Sequence, residues 1–260
     1  MLSLTSWEYK IIPDMDLLAW HKYNKELAHK NQYELIPYLV EDKNAPVVIV
    51  CPGGGYYMIA AFREGHPVAK FFQEQGFNAF VLRYRVREQA HYPHPMDDIA
   101  HALKDVKEIY GLSLDNYALC GFSAGGHMCG MFGSKEFGYP KYDLPKPHCL
   151  MLIYPVISLE KKITHKNTRK YFAGDDKTAL EAGNVYHHID SDYPNTFIWR
   201  GDKDRSVKHV NSDLMIDELL KHNVTCSYHK YGKVGHGVGL AVNTIAKDWP
   251  YLAVKFWKEN

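Results

Sequence analysis

Three side chains in this sequence are of the types that nucleophilic catalysis needs, and each follows a run that reads as a strand. Residues 121–125 are Gly-Phe-Ser-Ala-Gly, which places Ser123 between two glycines directly after the run 117–120. Flanking glycines leave room for a sharp strand-to-helix turn that lifts the hydroxyl above the sheet, with neighbouring backbone N–H groups aimed at the same space. The pattern alone is a weak signal, because ordinary composition produces it by accident in roughly one chain in ten of this length. A serine hydroxyl is also a poor nucleophile at neutral pH. It needs a base within hydrogen-bond reach, and the base needs a carboxylate that fixes its tautomer and stabilises its charged form. His236, in Gly-His-Gly at 235–237, is the candidate base, and Asp204, in Gly-Asp-Lys-Asp-Arg-Ser-Val at 201–207, the candidate acid. Asp202 is the rival acid, and Asp204 is preferred because it sits deeper in the loop, three residues before Val207.

A fourth stretch belongs with these. Residues 47–51, Val-Val-Ile-Val-Cys, form a continuous β-branched run of the kind buried on both faces, and Pro-Gly-Gly-Gly follows at 52–55. The run lacks both the Gly-x-Gly-x-x-Gly and the Gly-Lys-Ser/Thr of phosphate-binding loops. Glycines at the end of a buried strand also let the backbone approach an anion closely, as an oxyanion hole requires. A plain connecting loop is the competing reading until the serine is considered.

The elements that must position these residues alternate along the chain. Strands are predicted over 33–40, 47–51, 77–86, 117–120, 149–157, 195–200 and 224–231. Helices are predicted over 14–29, 66–75, 99–110, 124–133 and 207–222, with a terminal helix inside 238–259 that is interrupted near Trp249 and Pro250. Gly76 and Gly111 suit the positions just past two of the helix ends. Pro93 and Pro95 mark a loop, and Asp97 or Asp98 is placed to cap the helix that follows. The alternation predicts one α/β domain over residues 1–260, with a mainly parallel central sheet of about eight strands and helices on both faces. The polar and basic stretch 158–192 reads as a small cap or lid inserted over the strand ends.

Composition narrows the partners. With 260 residues, 46% of them hydrophobic and 23% charged, the chain can bury a full core. A net charge of +1 and the lack of a basic stripe give no electrostatic case for nucleic acid or an anionic membrane. Residues 1–10 lack the features of a secretory signal, and no stretch reaches the roughly 18 apolar residues of a membrane span. The expectation is a soluble, cytoplasmic protein with a small-molecule partner; whether it forms a homo-oligomer is not written in the sequence. Cys51, Cys120, Cys129, Cys149 and Cys226 are odd in number and mostly sit in apolar runs, where thiols behave as small buried hydrophobes. No Cys-x-x-Cys pair is present, and His91/His94 and His187/His188 lack an accompanying ligand set, so no metal is expected. His209 and His229 fall within a helix and a strand and read as structural. The 19 tyrosines could line a sugar-accommodating cleft, but core packing accounts for most of them.

Taken together, the stretches 51–56 (Cys-Pro-Gly-Gly-Gly-Tyr), Arg63-Glu64 with 67–69, 81–85, 121–127, 201–207 and 235–241 resemble the α/β-hydrolase esterases of the carbohydrate acetylesterase and acetylxylan esterase-like group. Ser, then acid, then His is the chain order of α/β hydrolases. The resemblance implies Ser123 as nucleophile, His236 as general base and then acid, and Asp204 as orienting carboxylate. It implies the N–H groups of Gly54, Gly55 and Ala124 as oxyanion donors, and no cofactor. Pro52 stands where many members carry a histidine, and Lys208 where a proline often follows the valine; neither change removes a reacting group. Tyr56, Tyr57 and Arg63 are candidate cleft residues, with packing beneath the loop as the competing reading. The implied activity is hydrolysis of short acyl esters, acetyl above all, of sugars or xylo-oligosaccharides. A formamidase-like amidase, an oligopeptidase and a ligand-binding protein on the same scaffold are the rivals. A peptidase usually brings a large additional domain, and a binding protein could lose its nucleophile or base without cost.

Overall fold

The computed structural model describes residues 32–260, and the helix predicted over 14–29 lies outside the described residues. Seven strands form one sheet: β1 (Glu34–Tyr38), β2 (Val47–Cys51), β3 (Asn78–Arg83), β4 (Tyr117–Phe122), β5 (Cys149–Ile153), β6 (Asn195–Gly201) and β7 (Cys226–Tyr231). Their order is β1-β3-β2-β4-β5-β6-β7. β1 runs antiparallel to β3 and the other five pairings are parallel. The sheet is thus mainly parallel, with one strand fewer among the described residues than the roughly eight expected from the sequence.

Helices cover both faces: α1 (His66–Glu74), α2 (His94–Glu108), α3 (Ala124–Phe132), α4 (Lys166–Phe172), α5 (Lys177–Ala182), α6 (Val210–Lys221) and α7 (Trp249–Glu259). Alternate residues of a strand point to opposite faces. Accordingly Val47 and Ile49 join a core with Met96, Leu103, Met128 and Leu219 from α2, α3 and α6. Val48 and Val50 join a second core with Phe72 of α1 and with Trp249 and Trp257 of α7. Every residue of β2, β3, β4 and β5 is buried, which is why these strands are dominated by apolar residues, with Asn78 and Arg83 at the two ends of β3.

Three helix starts differ from the sequence reading, each for a local reason. α2 begins at His94 with Pro95 in its first turn, where a missing N–H costs nothing. Asp97 and Asp98 therefore lie inside the helix and cap nothing; Asp98 is fully buried and accepts hydrogen bonds from the Arg85 backbone N–H and Nε, both at 2.8 Å. α7 begins at Trp249, so Pro250 opens that helix instead of interrupting it. α6 begins at Val210 and not at 207; residues 204–207 instead form a turn in which Asp204 Oδ1 accepts from the N–H groups of Ser206 and Val207 at 2.8 and 2.9 Å.

The topology also selects one crevice. From β2 the chain crosses to β3 on one side and later to β4 on the other, so the carboxyl ends of β2 and β4 flank the point where the winding direction reverses. Open α/β sheets offer their ligand crevice there. β2 runs into the glycine loop 52–55, and β4 ends one residue before Ser123. The stretch 158–192, which contains α4 and α5, packs its Phe172 ring 5.5 Å from Tyr56 and 4.7 Å from His127. Among the described residues no helix is long and apolar enough to cross a membrane.

Candidate active site

Ser123 occupies the single residue between β4 and α3, with φ 53° and ψ −114°. A positive φ is rare for a residue with a side chain, and such outliers gather at functional sites. The surrounding structure enforces it. The Ser123 N–H donates to the Ile153 carbonyl at 2.9 Å, and its carbonyl accepts from the N–H groups of His127 and Val156, both at 3.1 Å. Close approach explains the second elbow glycine: a Cβ on Gly125 would collide with the Cys51 carbonyl, so α3 could not start this near β2.

His236 and Asp204 converge on this serine from the loops after β7 and β6. Ser123 Oγ lies 2.9 Å from His236 Nε2, and His236 Nδ1 lies 2.6 Å from Asp204 Oδ2. Nδ1–H donates to the carboxylate, which leaves Nε2 as the acceptor for the serine hydroxyl. All three side chains are largely withdrawn from solvent, with Ser123 4% exposed and the His236 and Asp204 side chains 19% and 3% exposed. Asp202 instead pairs with Arg200 on the surface and does not reach the histidine.

The glycine loop has the open N–H groups that an anion site needs. Gly54 and Gly55 adopt φ of +130° and +66°, which only glycine takes readily. In this loop the Gly53 carbonyl accepts from Ala60, and the Gly54 carbonyl accepts from Tyr57 and Met58. The N–H groups of Gly54, Gly55 and Ala124 have no acceptor among the described residues. A Cβ on Gly53 would sit 2.9 Å from Ser123 Cβ, so the loop lies against the serine. His165 and Asn167, from the stretch 158–192, close over Gly55: a Cβ there would be 2.8 Å from His165 Cε1 and 3.2 Å from Asn167 Cβ.

The residues expected to line the cleft divide. Tyr56 is fully buried and donates its hydroxyl to His127 Nδ1 at 3.0 Å, so it supports the loop from beneath and does not face the crevice. His127 Nε2–H donates to the Gly183 carbonyl at 2.9 Å, and burial pushes this histidine down to about 4, so it is neutral at pH 7. Tyr57 is partly exposed, with the Arg87 guanidinium 4.6 Å from its ring centre and the Tyr171 ring at 5.7 Å. Arg63 Nη1 donates to the Gly237 carbonyl at 3.2 Å, next to His236.

Two polar residues with no role in the sequence reading lie beside the site. Glu64 is 3% exposed; its Oε2 accepts from the Gly53 N–H and its Oε1 from the Tyr154 hydroxyl, both at 2.8 Å. Tyr154 in turn accepts from the Gly239 N–H at 3.1 Å, and its ring centre is 4.7 Å from that of His236. Burial raises the Glu64 pKa above the ordinary carboxylate range, while the Tyr154 hydrogen bond and the nearby His236 work in the opposite direction. Glu64 was visible in the sequence as part of a family-like stretch, but nothing near Tyr154 in the chain marks it.

Comparison with known proteins bears on the fold and the class of enzyme. Residues 36–141 match the family model BD-FAE. The crystal structure of an acetyl ester-xyloside bifunctional hydrolase from Caldicellulosiruptor lactoaceticus superposes with a TM-score of 0.77 and 32% sequence identity, over 86% of this chain and 87% of that one. The chain belongs to the α/β-hydrolase esterase family. Among curated proteins, this α/β hydrolase is 28% identical to endo-1,4-beta-xylanase B of Butyrivibrio fibrisolvens over 88% of its length and 38% of that protein. It is 24% identical to an acetylxylan esterase of Xylanibacter ruminicola over 84% of its length and 46% of that protein. The chain thus spans less than half the length of either curated relative.

Proposed function

We propose that this chain hydrolyses short acyl esters, acetyl above all, carried by sugars or xylo-oligosaccharides, with Ser123 as the nucleophile. The observation that carries the reading is the continuous hydrogen-bonded line from Ser123 Oγ through His236 to Asp204, at 2.9 and 2.6 Å. In the first step His236 Nε2 takes the Oγ proton as Oγ attacks the ester carbonyl carbon. Asp204 holds the imidazole in the tautomer that can accept this proton and stabilises the imidazolium that results. The carbonyl oxygen gains negative charge where the N–H groups of Gly54, Gly55 and Ala124 are free to donate, each lowering the barrier by about 3 kcal/mol. The C–O bond then breaks, the alcohol leaves with the proton from Nε2, and Ser123 carries the acyl group. Water attacks the acyl-enzyme by the reverse proton route, releasing the acid and restoring the serine.

Acetylated carbohydrate is supported by the relatives, whose names join acetyl ester hydrolysis to xylan and xylosides. A short acyl group is supported by the burial of Ser123 and by the closeness of His165 and Asn167 to Gly55. The test is turnover of a short-chain nitrophenyl ester, abolished in Ser123→Ala while the fold persists; undiminished turnover in that variant sinks the assignment. A panel of acetylated xylo-oligosaccharides, simple acetyl esters and formyl amides then ranks the substrates. Preference for the amides would move the reading to an amidase.

A further inference from the structure

The reaction proposed above leaves Glu64 unused, although it is a buried carboxyl within two hydrogen bonds of both sides of the site. One bond to the glycine loop, from Gly53, and one to the histidine loop, at Gly237, are made by the same short segment. Residues Ala61–Gly65 form a single π-helical turn that runs directly into α1. Such turns are rare and recur at functional sites. Here the turn sends adjacent side chains to different tasks. Arg63 holds the Gly237 carbonyl at 3.2 Å, while Glu64 points inward to the Gly53 N–H and the Tyr154 hydroxyl, both at 2.8 Å. Tyr154 passes the connection on to the Gly239 N–H at 3.1 Å, and Trp249 Nε1 secures the Gly239 carbonyl at 3.0 Å. Gly53 precedes the open N–H groups of Gly54 and Gly55, and residues 237–239 follow His236. The oxyanion side and the proton-transfer side are therefore tied through one carboxylate.

We propose that Glu64 is a positioning residue: by accepting from Gly53 directly and from the histidine loop through Tyr154, it keeps the oxyanion donors and His236 at a fixed spacing around Ser123. The inference rests on the ester-hydrolase reading. It requires an acceptor at both carboxylate oxygens, because each faces a donor, and this makes Glu64→Gln a sharp perturbation. Glutamine keeps the volume but offers one acceptor oxygen and one NH2; with its oxygen on the Gly53 N–H, the NH2 turns the Tyr154 hydroxyl from donor into acceptor and leaves the hydroxyl proton without its partner. Tyr154→Phe makes an independent cut. It removes the link to Gly239 while keeping the ring against His236 and leaving the Gly53 bond in place.

A displacement of about an ångström in reacting groups costs on the order of a hundredfold in rate. In nitrophenyl acetate hydrolysis, folded Glu64→Gln is expected to lose ten- to a hundredfold in kcat, with KM changed less than threefold. Tyr154→Phe should lose kcat in the same sense, and the double variant should be no more than threefold slower than Glu64→Gln alone, because both cut one connection. A buried group that served stability alone would lower the melting temperature and leave kcat per folded molecule intact. Folded Glu64→Gln with kcat within twofold of wild type overturns the assignment, as does a double variant whose losses multiply. If Glu64→Gln does not fold, Tyr154→Phe decides by the same kcat criterion. A wild-type chain inert towards every ester overturns the ester-hydrolase reading itself, whereas an active wild type with an unimpaired variant overturns only the role of Glu64.

Discussion

Replacing Asp204 by asparagine separates the two acids that compete in the sequence, and the structure gives the size of the effect. Asp204 uses its two oxygens differently. Oδ1 holds the turn through the N–H groups of Ser206 and Val207, and Oδ2 accepts from His236 Nδ1 at 2.6 Å. Asparagine can keep its oxygen on the turn, so the loop retains its shape, and it then presents an NH2 to Nδ1. Two donors cannot face each other, so the ring adopts the other tautomer, with its proton on Nε2. Nε2 can then no longer accept the Ser123 proton, and the imidazolium loses its buried counter-charge. Loss of both effects in a serine–histidine system costs about 10⁴-fold in kcat, or about 5 kcal/mol of barrier. Asp202→Asn touches only the Arg200 pair; the Asp202 side chain is 49% exposed, against 3% for Asp204. Exposed pairs contribute at most about 1 kcal/mol of stability, and this one holds no reacting group. Initial rates with nitrophenyl acetate at pH 7.5 (roughly one unit above the ordinary imidazole range), measured on folded protein, should show the large loss at 204 and less than a twofold change at 202. Comparable losses at both positions, or the larger loss at 202, would refute the reasoning.

Two further outcomes follow from burial and close approach. Gly125→Ala drives a methyl group into the Cys51 carbonyl, and overpacking of this kind costs about 2 kcal/mol; thermal melting should fall by about 4–8 °C, and an unchanged midpoint would contradict the packing described. Burial pushes His66 and His127 down to about 4, whereas an unfolded chain protonates histidine near pH 6.5. Between these values the unfolded state binds protons that the folded state refuses, so stability is lost as pH falls from about 6.5 towards 4, by up to about 1.4 kcal/mol per pH unit for each residue. Urea unfolding midpoints should be lower at pH 5 (inside that window) than at pH 7, and equal midpoints would count against both assignments.

Much of the site was legible because its signals are local. Strands β2 to β5 announce themselves as largely apolar runs, since a strand covered on both faces shows no alternation of polar positions to betray its pleat. Ser123 is marked by glycines two residues away on either side, and the residue types sought at 204 and 236 are those a serine requires before it can attack. The helix starts at 94, 210 and 249 were less legible, because prolines and an aspartate had two local uses and only the packed chain chose between them.

Chain order and residue chemistry by themselves determined the fold class and singled out Ser123 and His236 as candidates, because both readings depend on patterns that short segments carry. The tertiary structure alone decided the rest. It put Asp204 and not Asp202 on His236, since that choice depends on which carboxylate a turn buries. It placed Tyr56 under the loop, because its hydroxyl finds His127 from another element 71 positions away. It joined Glu64 to Tyr154 across 90 positions, a contact that no periodicity encodes and that exists only once the sheet brings the ends of β2 and β5 to one edge.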